Sequence, residues 1–426
     1  MACARRCRHN PASTFHGMFQ MHDSTGPSAW GRIFLPFALG YFLSYLLRTV
    51  NAVISPALTG ELGLSAANLG LLTSTYFLAF GLAQIPVGMA LDRYGPRRVE
   101  AILLLVTAAG AVLFALGESL AVLGAGRALI GLGVSACLMA ALKGFALWYP
   151  PERQSSMTGF IMASGAMGAL VASAPLEAVL PILGWRGAFW VVAALAVVAA
   201  LTIHRSLPDA RSSGPRGSLG DGLRVVAGIY VSPAFLRYAA SSAFFVGGFM
   251  AMQSLWAVPW LMNVNGFDLA GAARMLVVLN LGSLVGQLSI GFLGVRLARL
   301  GVGPMALLRW GYALLVLIQC AILWSVAPPA VLWFAYGMFS AVNSQTYLAA
   351  SRDFQPALFG RVSTAINLMA FAGAFAVQWG LGGALDLLQA SGHSIEAALW
   401  VSFAGLIALQ AVAFLPLLRK GGRPAA

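Results

Sequence analysis

Three basic side chains stand inside stretches that are otherwise apolar: Arg48 in FLSYLLRTVNAVI, Arg127 in AVLGAGRALIGLG and Lys143 in MAALKGFALW. A charge in hydrocarbon is unfavourable by several kcal/mol, so Arg48 and Arg127 should face the interior of a helix bundle. There a guanidinium can hold an anionic group through two parallel hydrogen bonds. Lys143 follows Arg127 by sixteen residues, about 24 Å along a helix. It can either join such a site or extend its ammonium to the polar boundary. Neutral amides recur later in the chain at Gln253, Asn280, Gln287, Asn343, Gln345, Asn367 and Gln378. Some should join helices through hydrogen bonds, and Gln253, Asn343 and Asn367 are the candidates for contact with a bound solute. Acids near the apolar segments are expected only at Asp92, Glu177 and Asp386, the last two as boundary residues toward the outer ends. No His/Asp/Glu cluster gathers at one depth, so no catalytic residue and no enzymatic role is expected.

A second constellation is GMALDRYGPRR, residues 88–98. Gly88 can let a helix end approach a neighbour, and Asp92 can accept hydrogen bonds from a facing helix N-terminus. Gly95 and Pro96 turn the chain. Arg93, Arg97 and Arg98 can pair with acids on other loops at the same end. The plainer reading is a basic loop that serves topology alone, but an acid at a membrane boundary is costly without a partner.

Composition says what must carry these residues. Of 426 residues 59% are hydrophobic and 9% charged, with a mean hydropathy of +0.82. A water-soluble domain carries about 25% charged residues, so most of this surface must face lipid. Forty-eight glycines suit close helix packing in a membrane. The net charge of +13 would suggest nucleic acid in a soluble protein. Here, with a cytoplasmic amino terminus, only Arg186 and Arg274 of the 26 Lys/Arg fall outside, three lie within apolar segments, and the other 21 are cytoplasmic. The charge therefore reports orientation, both termini inside, and not a nucleic-acid partner. Cys3, Cys7, Cys137 and Cys320 show no metal-ligand spacing, even with His9 and His16 near the first two, and no metal is expected. No apolar stretch precedes Trp30, so no signal peptide is expected, and Met18 or Met21 are alternative starts.

Apolar runs able to cross about 30 Å of hydrocarbon are expected near 33–54, 69–91, 99–116, 121–143, 157–180 and 187–203. A second set follows near 235–256, 269–297, 305–326, 330–350, 362–388 and 397–418. The fold class is thus an all-α membrane protein with twelve transmembrane helices in two six-helix bundles, 33–203 and 233–418. A polar linker, 204–232, joins them, and cytoplasmic tails cover 1–32 and 419–426. The halves repeat: QIPVGMALDR (84–93) shadows QLSIGFLGVR (287–296), and GWRGAFW (184–190) stands before the sixth helix where GHSIEAALW stands before the twelfth. A duplicated bundle places its site between the halves, near mid-membrane. Trp256, Trp260, Trp310 and Trp324 should include interfacial anchors.

GMALDRYGPRR resembles the signature loop of the major facilitator superfamily, in which it latches the cytoplasmic gate; Val295 replaces the Asp in the second half. Further pieces, SYLLRTVNAVISPALTGELGLSAANLGLL, QIPVGMALDRYGPRRV, RALIGLG, KGFALWYPPER and GWRGAF, resemble the anion:cation symporter family. That resemblance implies a secondary transporter of a small organic anion, a carboxylate foremost, working by alternating access in a bacterial inner membrane. Arg48 and Arg127 occupy the family's anion-holding positions. The family's two proton-carrying carboxylates are replaced by Leu47 and Val134. Protons remain a candidate driving ion, and the working unit is expected to be a monomer. The fifth helix keeps Gly159 and Gly168 but has Ala172-Ser173 where drug/proton antiporters have Gly-Pro, which argues against such an exporter. An exporter of a metabolite, siderophore or drug is the nearest alternative, and a non-transporting membrane sensor is a further one. No nucleotide-binding glycine loop or helical zinc motif is present, so no cofactor is implied.

Overall fold

The computed structural model describes residues 30–209, 228–351, 353–354 and 359–418. The tail with Cys3, Cys7, His9 and His16, the central part of the expected linker (210–227) and the tail 419–426 lie outside the described residues.

Among the described residues every regular element is helical, and nine helices are long and apolar enough to cross a membrane. The elements are α1 (Trp30–Leu62), α2 (Ala66–Ala115), α3 (Leu120–Trp148), α4 (Pro151–Val171), α5 (Ala174–Ser206) and α6 (Pro233–Asn263). They continue with α7 (Leu269–Arg299), α8 (Pro304–Leu323), α9 (329–351), α10 (Phe359–Ala390) and α11 (Ile395–Leu418).

Straight, the 50 residues of α2 would run about 75 Å, more than twice one crossing. The run breaks at Gly95, whose φ of 78° and ψ of 163° lie outside helical geometry and suit a residue without Cβ. Pro96 then opens the second arm with a φ already set for a helix. The positive-φ glycines pair off along the chain: Gly63 with Gly266, Gly95 with Gly301, Gly184 with Gly392. The same turns thus recur about 205 residues apart, as a duplicated helical plan requires.

One expected helix is redrawn. The chain does not run straight through 157–180: α4 ends at Val171, and Ser173 (φ −101°, ψ −118°) separates it from α5. The sequence Ala172-Ser173 therefore breaks the helix even without the Gly-Pro pair. Other helices are irregular within their spans: α1 opens with a π-helical turn at Trp30–Phe34, and α5 is broken at Gly184. α3 is interrupted at Ser135–Ala136, α6 contains π-helical turns at Ser242–Val246 and Met252–Trp256, and α9 contains a 3-10 turn at Ala341–Ser344. Non-helical backbone in a bilayer is tolerated where protein covers it or it faces a cavity, so the breaks in α3, α6 and α9 mark the inner helices.

Candidate functional site

Arg127, on α3, is fully buried. One guanidinium nitrogen, Nη1, donates to the carbonyl of Leu47 on α1 at 3.0 Å, while Nε and Nη2 have no hydrogen-bond partner. Its guanidinium lies 5.3 Å from the Tyr76 ring and 5.9 Å from the Phe114 ring. Arg48 is the next residue after that carbonyl and keeps 8% of its surface accessible. It lies 4.5 Å from the ring of Tyr45, 5.5 Å from Phe80 and 5.7 Å from Phe371. Phe371 belongs to α10, so the aromatic cage closes across both halves of the chain. Each cation–π contact contributes about 0.5–2 kcal/mol, which attracts the charge without neutralising it. None of the ion pairs among the described residues includes Arg48 or Arg127. Two buried guanidinium groups, Arg127 wholly so and Arg48 with a little accessible surface, thus lack a carboxylate partner among the described residues.

The amides divide by what they touch. Gln253, within a π-helical turn of α6, donates to Asn280 at 2.5 Å. Asn280 in turn donates to Ser173 Oγ at 3.2 Å and to the Ala169 carbonyl at 3.4 Å, tying α7 to the break between α4 and α5. Asn367 accepts from Tyr347 at 3.1 Å and donates to Gln84 at 3.4 Å, a second polar bridge between the halves. Gln378 donates to Ser254 at 3.2 Å. Asn343, 9% exposed, retains a carbonyl oxygen without a partner. Gln287 is exposed. Gln345 helps line a cavity of about 390 Å³ beside Trp310, Leu314 and Phe339, which includes neither arginine. Trp310 and Trp324 are exposed, as anchors would be, whereas Trp256 and Trp260 are core residues.

At the GMALDRYGPRR end, Lys143 reaches Asp92 at 2.6 Å and the Leu91 carbonyl at 3.0 Å. Lys143 is therefore held at this end and not beside Arg48. Asp92, 71% exposed, has a lysine as its partner and not a helix N-terminus. Arg97 pairs with Asp209 at 3.4 Å and donates to the His204 carbonyl at 2.7 Å, and Arg98 lies 3.8 Å from Asp209. These two arginines thus find an acid at the start of the expected linker, while Arg93 lies over Tyr94. Among the described residues no heavy atom stands within 4 Å of a Cβ built on Gly88.

The opposite end of the same arm is tightly joined. Asp386 of α10 accepts from the Ala66 and Ala67 amides, each at 3.0 Å, and a Cβ on Gly70 would stand 2.5 Å from the Gln378 carbonyl. Phe80 stacks on Phe371 with centroids 4.4 Å apart. Glu61, closing α1, accepts from Trp185 Nε1 at 2.6 Å and pairs with Arg186, which explains the GWRGAF stretch. The halves are joined at the Asp386 end, where these contacts cross between them.

One acid escaped the sequence reading. Glu100 lies second in the expected apolar run 99–116, beside Arg97-Arg98, and was not counted among its acids. The side chain is fully buried, and neither oxygen has a nitrogen or oxygen hydrogen-bond partner. Tyr45, Tyr76, Gln84 and Phe371 were also missed, because their roles come from the helices they face.

The structure is that of a polytopic helical membrane protein with paired halves and an uncompensated arginine, Arg48, at their junction. The chain belongs to the Major Facilitator Superfamily, whose family description matches residues 37–378. A probable sulfoacetate transporter of Cupriavidus necator is 26% identical over 159 residues, a stretch spanning 37% of this chain and only 37% of that relative. A chloramphenicol resistance protein of Streptomyces lividans is 30% identical over 362 residues, covering 83% of this chain and 90% of that one. Among solved structures, a bacterial homologue of the human lysosomal transporter Spinster, in an inward-facing and unoccupied conformation, superposes with a TM-score of 0.72 at 18% identity. That match covers 92% of this chain and 97% of the other and speaks to the fold alone.

Proposed function

We propose that the protein is a secondary active transporter that moves a small organic anion, a carboxylate foremost, by alternating access. The observation that carries the reading is Arg48: a guanidinium at the junction of the halves, caged by Tyr45, Phe80 and Phe371, partly accessible and without an acid. An anionic group is the simplest neutralising partner, held bidentately. Arg127 supports it from behind with two unspent donors. Gln253, Asn343 and Asn367 read the uncharged remainder of the substrate. Twelve crossings form two six-helix bundles, 33–203 and 233–418, joined by the linker 204–232. Both termini are cytoplasmic in a bacterial inner membrane, and the unit works as a monomer, with a proton or solute gradient driving it. With that orientation the end joined by Asp386 is the outer one, so this state is closed to the outside. GMALDRYGPRR acts as the gate latch, exchanging the Asp92–Lys143 pair for contacts across the halves as the protein opens outward.

The sulfonate-carrying substrate named for the Cupriavidus relative agrees with an anion site. The longer match to the Streptomyces resistance protein favours a second reading, export of an uncharged or drug-like molecule. A thermal-shift screen of purified protein against organic anions, followed by uptake of each hit into right-side-out and inverted vesicles, separates the two. The anion reading expects stabilisation by carboxylates or sulfonates that Arg48→Gln abolishes. Stabilisation by chloramphenicol-like neutral molecules, with efflux, overturns it.

A further inference from the structure

Glu100 is fully buried in the second arm of α2, and neither carboxylate oxygen has a nitrogen or oxygen hydrogen-bond partner, the Cys137 thiol being the polar group against it. The face opposite it on α1 is Gly40, where a Cβ would stand 2.6 Å from Glu100 Oε1. From α3 the titratable group beside it is the thiol of Cys137. None of the ion pairs among the described residues includes Glu100. The charged positions nearest along the packed helices are Arg97 and Arg98, two to three residues before it and turned to Asp209, then Lys143, six beyond Cys137, Arg32 and Arg48, each eight from Gly40, and Asp92, on the first arm of α2. Lys143 and Asp92 hold each other, and Arg48 is held in its aromatic cage. A carboxylate in such surroundings would be an unpaired charge in a low-dielectric interior, a state that proteins avoid by binding a proton.

We propose that Glu100 is a proton-binding site of the transport cycle, loaded in the state described here and emptied when the Asp92 end rearranges. The proton adds to one carboxylate oxygen and leaves from the same atom to water, so nothing else is consumed. The link to the cycle is geometric. The segment Cys137–Trp148 touches Glu100 through Cys137 and grips Asp92 through Lys143. It begins just after the interruption of α3 at Ser135–Ala136, where it can pivot. A movement that breaks the Asp92–Lys143 pair therefore also moves the wall of the Glu100 pocket and admits water. Glu100 is a different position from Leu47 and Val134, and it supplies a proton carrier to a chain in which those two positions are apolar. This inference rests on the reading of the chain as a gradient-driven transporter, but proton binding can be measured with no substrate.

Infrared difference spectroscopy of the protein in lipid, with pH as the probe, tests it. A protonated-carboxyl band at neutral pH should be present, disappear reversibly at alkaline pH, and be missing from Glu100→Gln. Glutamine copies the neutral acid in size and should fold; if it does not, Glu100→Asp keeps the carboxyl and must displace the band. A spectrum unchanged by either substitution overturns the proposal, as does a band that persists at every pH the fold survives. The two readings fail separately. Uphill anion uptake undiminished in Glu100→Gln removes the proton site and leaves the anion transporter. A titrating Glu100 in a protein that moves no anion does the reverse.

Discussion

Asp386, four residues from the end of α10, holds the backbone amide of Ala66 at 3.0 Å, and its second oxygen holds that of Ala67. The two residues are 320 positions apart. The first amides of a helix have no partner within it, and a carboxylate there also meets the positive end of the helix dipole. Ser65 caps the next amide, that of Asn68, so the other half of the molecule completes the N-terminus of α2. This contact clamps one end of the halves together.

Asp386→Asn keeps one acceptor and loses both the second acceptor and the charge. By comparison with helix caps the contact should weaken by about 1–2 kcal/mol, roughly a five- to thirtyfold shift toward the state open at this end. Spin labels at Ser119 and Ser391 would report it as a longer interspin distance. An unchanged distribution would remove the clamp.

Asp92→Asn should behave differently. Its pair with Lys143 is largely exposed on the Asp92 side, and exposed ion pairs contribute at most about 1 kcal/mol. Thermal stability should hardly change, whereas transport should fall severalfold because the latch has lost its charge. Full transport by a well-folded Asp92→Asn protein would show that the loop serves topology alone.

The two arginines should separate in a binding experiment. Arg48→Lys keeps the charge and loses the planar fork, so affinity for the anion should weaken by about 1–3 kcal/mol with folding intact. Arg127→Lys should lower stability as well, since its guanidinium is wholly buried and bonded to the Leu47 carbonyl. Calorimetry on the purified variants distinguishes these. Unaltered affinity in Arg48→Lys contradicts the anion site.

Orientation is tested by single-cysteine labelling in a background without native cysteines. An impermeant maleimide added to intact cells should react at Ser119 and Gly266 and not at Ser213. Reaction at Ser213 from outside would invert the assignment of sides.

Membrane residence, helical class and the inward direction of Arg48 and Arg127 follow from the sequence alone. Each rests on a local free energy: apolar side chains prefer hydrocarbon, backbone groups there must be paired within a helix, and an isolated charge must leave the lipid face. The turn at Gly95 and the helix start before Trp185 are legible for the same reason, since glycine and proline act on their own backbone. The partners of the charges are not legible. Asp386 reads as a boundary acid until α2 is brought to it, Asp92 takes Lys143 from another helix, and Trp256 and Trp260 join the core though tryptophan favours the interface. Glu100 is the sharpest case. Three residues earlier the chain is a basic loop, and only the packing of Gly40 and Cys137 against the next turn takes that carboxyl out of water. Burial and pairing depend on which faces meet across long sequence separations, and a local pattern does not carry that information.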